Sequence, residues 1–119
     1  MQVPVQISIR DIESSASLEE RIRDKADKLD ESFGHIMSCR VAVEMPHKHN
    51  HHGRQFNVRI DIGVPGREIA VNRSHHGDVY AALRDAFDAA RRLLEEHARK
   101  MRGAAKTRRA RYPGEAMEA

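Results

Sequence analysis

At 119 residues the chain is long enough for one domain around a single modest core. Charged residues make up 33% of it and aromatics 4%, with no tryptophan, so that core has to be aliphatic. No apolar run approaches the roughly 20 residues needed to cross a bilayer, which excludes a membrane span. The opening Met1–Arg10 lacks the charged-then-apolar order of a signal peptide. The single cysteine, Cys39, excludes an internal disulfide framework and fits a reducing compartment, so a cytoplasmic protein is expected. The net charge of +3 is unevenly spread. Residues 1–53 hold seven Lys/Arg against nine Asp/Glu, whereas residues 54–119 hold fourteen against nine. The excess of base therefore belongs to the later part of the chain, which points to a polyanionic partner.

Val3, Val5, Ile7 and Ile9 alternate with Gln6, Ser8 and Arg10, the period-two pattern of a half-buried strand. Pro4 has no N–H for a ladder, which suits an edge. The serines 14, 15 and 17 end the pattern. Ser17 and Glu20 have capping-box spacing, with Ser15 as a competing N-cap. Leu18, Ile22, Ala26, Leu29 and Phe33 then recur every three or four residues, an amphipathic helix closed by Gly34. Its outer face mixes bases with more acids and is net acidic.

A second strand places Val41, Val43 and Met45 on one side and stops at Pro46. In the third strand Phe56, Val58, Ile60, Ile62 and Val64 point inward and Asn57, Arg59 and Asp61 outward. Pro65-Gly66 has type II turn composition, and residues 68–73 return as a fourth strand with Ile69 and Val71 inward. Asp78 is placed to cap a last helix, where Val79, Leu83, Phe87, Ala90, Leu94 and His97 form one stripe. Arg84, Arg91 and Arg102 fall within about 20° of one another on the opposite flank, with Arg92 and Arg99 beside them. From Arg99 to Arg111 the chain has seven bases and no acid.

The order β-α-β-β-β-α, with one apolar sheet face and two amphipathic helices, predicts an α+β two-layer sandwich. Its four-stranded mixed sheet carries both helices on one face. Residues 1–103 are expected to form the domain and 104–119 a flexible basic tail.

Six of eight histidines lie in two short segments, His47, His49, His51 and His52 in one, His75 and His76 in the other. The hairpin topology brings both segments to the same end of the sheet. They could bind Zn²⁺ or Ni²⁺, although no CxxC or helical His-x₃-His accompanies them. With Lys48, Arg54 and Arg73 they could instead contact RNA phosphates and exposed bases, or form a solvated polar loop. Catalysis has less support. Cys39 abuts a strand without an activating partner, Asp61 and Glu44 suit cross-strand pairing with Arg40 and Arg59, and no phosphate loop, nucleophile elbow or zinc-protease motif occurs. No catalytic residue and no cofactor is expected.

The segments GREIAV and GDVYAALRDAFDAARRLLEEHARK, together with DKADKLDESFGHI, resemble the ribosome hibernation factors, also known as hibernation-promoting factor, protein Y or sigma-54 modulation proteins. The resemblance runs from Val3 to about Met101. It implies a non-enzymatic translation inhibitor that docks on small-subunit rRNA in the mRNA and tRNA channel near the decoding region. By position it implies RNA contacts from Lys25, Lys28, Tyr80, Arg84, Arg91 and Arg92, followed by Arg99, Lys100 and Arg102. No membrane or small-molecule substrate is implied. The histidine-rich loop is longer than the family leads one to expect. The short basic tail lacks the separate dimerising domain of long-form members, so pairing of ribosomes into dimers by this protein alone is not expected; when free it is expected to be a monomer. A metal-binding module and a general double-stranded-RNA binder are the competing readings.

Overall fold

The structure, a computed structural model, describes residues 2–12, 16–45 and 55–111, without the side chains of 75–76 and 104–111. The elements are β1 (Gln6–Arg10), α1 (Ala16–Phe33), β2 (Ser38–Glu44), β3 (Gln55–Val64), β4 (Arg67–His76) and α2 (Val79–Arg111). They form one four-stranded sheet in the order β1-β2-β3-β4. α1 is the crossover between β1 and β2, which run parallel, and the other neighbours are antiparallel.

β3 shows how the sequence pattern becomes a layer. Phe56, Val58, Ile60, Ile62 and Val64 are all buried, while Asn57, Arg59 and Asp61 take the other face. Antiparallel register sets Val43 opposite Val58, Val41 opposite Ile60 and Cys39 opposite Ile62 on β2, and Ile69 opposite Ile62 on β4. α1 covers this face with Leu18, Ile22, Ala26 and Leu29, and α2 with Ala82, Leu83, Ala86, Phe87, Ala90 and Leu94. Burying each large aliphatic chain contributes about 1.5–3 kcal/mol. The opposite sheet face is polar: Arg10 and Glu44, Arg40 and Asp61 are direct cross-strand neighbours. Arg59 Nε donates to Asp61 Oδ2 at 3.1 Å, and Arg40 stands 3.9 Å from Glu68.

Local signals act where expected. Gly34 and Gly66 have φ of +66° and +78°, a region that favours glycine, and they close α1 and the β3–β4 turn. The Gly34 N–H donates to the Asp30 carbonyl at 2.9 Å. Asp78 Oδ1 accepts the Tyr80 N–H at 2.9 Å and its carbonyl the Ala82 N–H at 3.1 Å, an N-cap for α2.

Four expectations need correction. β1 starts at Gln6, and Val3 is exposed, its N–H donating to the Met37 carbonyl at 3.3 Å. Ser17 lies inside α1 and is not its N-cap, and the competing candidate Ser15 lies outside the described residues. Ser74, His75 and His76 continue β4, paired with Asn57, Phe56 and Gln55. α2 runs on to Arg111 instead of ending near residue 103. Ala, Lys and Arg are strong helix formers, so the sequence past Gly103 favours continued helix.

Candidate RNA-binding groove

α1 and α2 lie side by side on the sheet, and one contact fixes how their outer faces meet. The Arg21 guanidinium stands 5.1 Å from the centroid of the Tyr80 ring, joining the second turn of α1 to the first turn of α2. At about 100° per residue, Lys25 and Lys28 lie within about 40° of Arg21 on α1. These three bases therefore share the flank that faces α2. The acids Glu20, Asp24, Asp27 and Glu31 occupy the adjoining outward flank. The acidic balance of α1 as a whole thus hides a basic edge. Lys25 is half-buried, as its place between the helices requires, and Lys28 is exposed, with Asp24 at 3.3 Å.

On α2, Arg91 falls about 20° from Tyr80, and Arg84 and Arg102 about 40°. All three are exposed. The groove between the helices is therefore edged by Arg21, Lys25 and Lys28 on one bank and by Arg84, Arg91 and Arg102 on the other. Exposed guanidinium and ammonium groups on two banks can bracket a phosphate backbone, and Arg can present its planar fork to one phosphate bidentately.

Other predicted residues lie elsewhere. Arg92 and Arg99 point from the outer surface of α2, interleaved with Asp88 and Glu95. Lys100 sits on the flank away from α1, bound to Glu96 at 3.2 Å. Tyr80 is half-buried, and Arg21 covers its ring. Arg73 belongs to the helix-side phase of β4, opposite Val58, and is exposed. His47, His49, His51, His52 and Arg54 lie outside the described residues, as do the side chains of His75 and His76. The backbone of His76 pairs with Gln55, next to the end of the histidine-rich segment. Among the described residues no group of three or more His, Cys, Asp or Glu could hold a metal ion. Cys39 is buried, and burial, with the nearby Asp61 charge, raises its thiol pKa to about 11.

Arg21 is the residue that reading by segment missed. A helical projection of α1 alone would have found it, because Arg21, Lys25 and Lys28 fall on one edge while the acids fall on the next.

An α+β domain with a basic cleft between two helices is the class this arrangement defines. The profile of the sigma 54 modulation protein / S30EA ribosomal protein family matches residues 5–102, and the chain belongs to that family. A ribosome hibernation promotion factor from Deinococcus radiodurans is 31% identical over 91 residues, covering 76% of this chain and 47% of the relative. The chain thus spans about half the length of that curated relative. Two solved structures share the fold. A ribosomal subunit interface protein from Coxiella burnetii has a TM-score of 0.66 at 15% identity, covering 79% of this chain and 96% of the other. The N-terminal domain of Thermus thermophilus Protein Y has a TM-score of 0.65 at 19% identity, covering 82% and 99%.

Proposed function

We propose that this chain is a cytoplasmic, non-enzymatic translation inhibitor of the ribosome hibernation class. It docks on small-subunit rRNA, in the channel that mRNA and tRNA otherwise occupy near the decoding region. The observation that carries this reading is the two-banked basic groove between α1 and α2. Family membership supports the ribosome as the polyanion. Arg84, Arg91 and Arg102, with Lys25, Lys28 and Arg21, hold the RNA backbone. Arg92, Arg99 and Lys100 extend the contact along α2, which continues as helix to Arg111. Arg73 adds contacts from the far end of the sheet, and Arg54 is a further RNA-contacting base.

No cofactor, metal or small-molecule substrate enters this mechanism. The protein acts by occupancy: shape and backbone recognition place it, and the channel it fills is closed to mRNA and tRNA. Free in solution it is a monomer. Sedimentation of the full chain with ribosomes through sucrose gradients tests the proposal. Co-migration with the small subunit at low salt, lost as salt rises, is the expected result. Absence from ribosomal fractions at low salt overturns it.

A further inference from the structure

At the end of the sheet opposite the histidines, the inter-helix groove opens into an apolar slot of about 330 Å³. Its floor is Ile36, Val64 and Leu94, all buried, and its walls carry Phe33, His35 and His97. Ala98 and the exposed Met101 stand at the mouth. The slot exists because α2 outruns the sheet. Its apolar stripe continues past Leu94 with only the end of α1 and the β3–β4 turn to face it.

Three observations define what the slot takes. Its volume lies at the small end of the roughly 300–1,000 Å³ range of ligand pockets, which suits one flat ring system. Phe33 and the imidazoles of His35 and His97 offer ring faces for stacking and edge groups for hydrogen bonding. The mouth is continuous with the basic groove, since Ala98 shares the α2 flank of Arg91 and Arg102 by helical step.

We infer that this slot receives one unpaired nucleobase of the RNA whose backbone lies in the groove between α1 and α2. The inference rests on the ribosomal RNA reading above and deepens it. Phosphates on either side of the base meet Arg91 and Arg102, and the base turns away from solvent against Phe33 and the imidazoles. Such stacking tolerates any base, because every base has a ring face. The slot therefore adds affinity and fixes the position of the strand along the groove without reading its sequence.

Ala98→Leu in the full chain tests this, because it fills the mouth and leaves every charge in place. Affinity for purified ribosomes is measured by co-sedimentation across a salt series, and base accessibility by chemical probing of the rRNA with and without protein. The expected result is an affinity loss of about tenfold with an unchanged salt slope, a retained thermal melt, and loss of protection at one unpaired base that the parent protein shields. A parent protein that does not sediment with ribosomes overturns the ribosome reading itself. If the parent binds but Ala98→Leu matches it in affinity and protection, the slot assignment alone falls. Weakened binding with no base protected, and cross-links from Met101→Cys reaching a ribosomal protein, assigns the slot to a protein segment and overturns the nucleobase.

Discussion

Changing Arg84, Arg91 and Arg102, the α2 bank of the groove, together to Ala separates binding from folding. All three side chains are exposed, and among the described residues none has an ion-pair or hydrogen-bond partner. Exposed helix positions of this kind shift stability by no more than about 0.5 kcal/mol, and Ala is the better helix former by a few tenths. The thermal midpoint should therefore move by no more than about 3 °C. Each guanidinium–phosphate hydrogen bond is worth about 1.5 kcal/mol at an exposed site. Three of them amount to about 4.5 kcal/mol, or about three decades of affinity at 1.4 kcal/mol per decade. The slope of log affinity against log salt should also become shallower by about 2–3, since each lost contact releases fewer counterions. A control with Arg10, Arg23 and Arg40 changed to Ala removes the same formal charge from the open sheet face and the far flank of α1. It should weaken binding by no more than about tenfold through the loss of net charge. Both triples are assayed by ribosome co-sedimentation and by translation in vitro. If they lose affinity equally, or if the first still inhibits translation at the parent's concentration, the α2 bank is not the interface.

Three further outcomes follow from the fold. Asp78→Ala removes the acceptor for the Tyr80 N–H and should cost about 1 kcal/mol, read as a lowered midpoint in urea; no change would remove the cap from the account of α2. Leu83→Ala opens a cavity at a fully buried position between α2 and the sheet and should cost about 2–5 kcal/mol, with a cost under 1 kcal/mol contradicting the core assignment. Burial holds the Cys39 thiol pKa near 11, above its ordinary value of 9.0. Its contribution to stability is thus complete below pH 9 and lost as pH rises through 11, because the unfolded thiol ionises first. Over that window the parent should lose about 2–3 kcal/mol more than Cys39→Val; parallel pH profiles would refute the burial argument.

How much of this was legible in the sequence depended on what each segment packs against. β3 was readable residue by residue because every second side chain from Phe56 to Val64 is buried and its neighbours are not. The Asp78 cap, Gly34 and Gly66 were readable because backbone chemistry alone demands them. The end of β4 was not, since Ser74, His75 and His76 carry no strand signal of their own and are extended through pairing with Asn57, Phe56 and Gln55. The extent of α2 was hidden because apolar periodicity fades after Met101, although Ala104, Ala105 and Lys106 are good helix formers and the helix continues to Arg111. The basic flank of α1 was masked by counting charge over its whole outer face. Only the angular position of each base, fixed in space by Arg21 on Tyr80, shows the edge.

That angular ordering bears on how such a domain would approach RNA. Around α1 the sequence passes from the core stripe to Arg21, Lys25 and Lys28, and next to Glu20, Asp24, Asp27 and Glu31. Charges exposed to solvent act over a Debye length of about 8–10 Å at physiological salt, comparable to the width of a helix. An RNA strand nearing from the acidic flank is repelled before it touches the protein, whereas one nearing the cleft meets bases on both banks. The acids therefore give the weak net charge a direction, favouring one docking orientation over indiscriminate adhesion. The same reasoning reconciles the proposed ribosomal docking with a net charge of only +3. Selectivity for a deep, phosphate-lined channel needs bases confined to one cleft, and a uniformly basic surface would bind plain duplex RNA equally well.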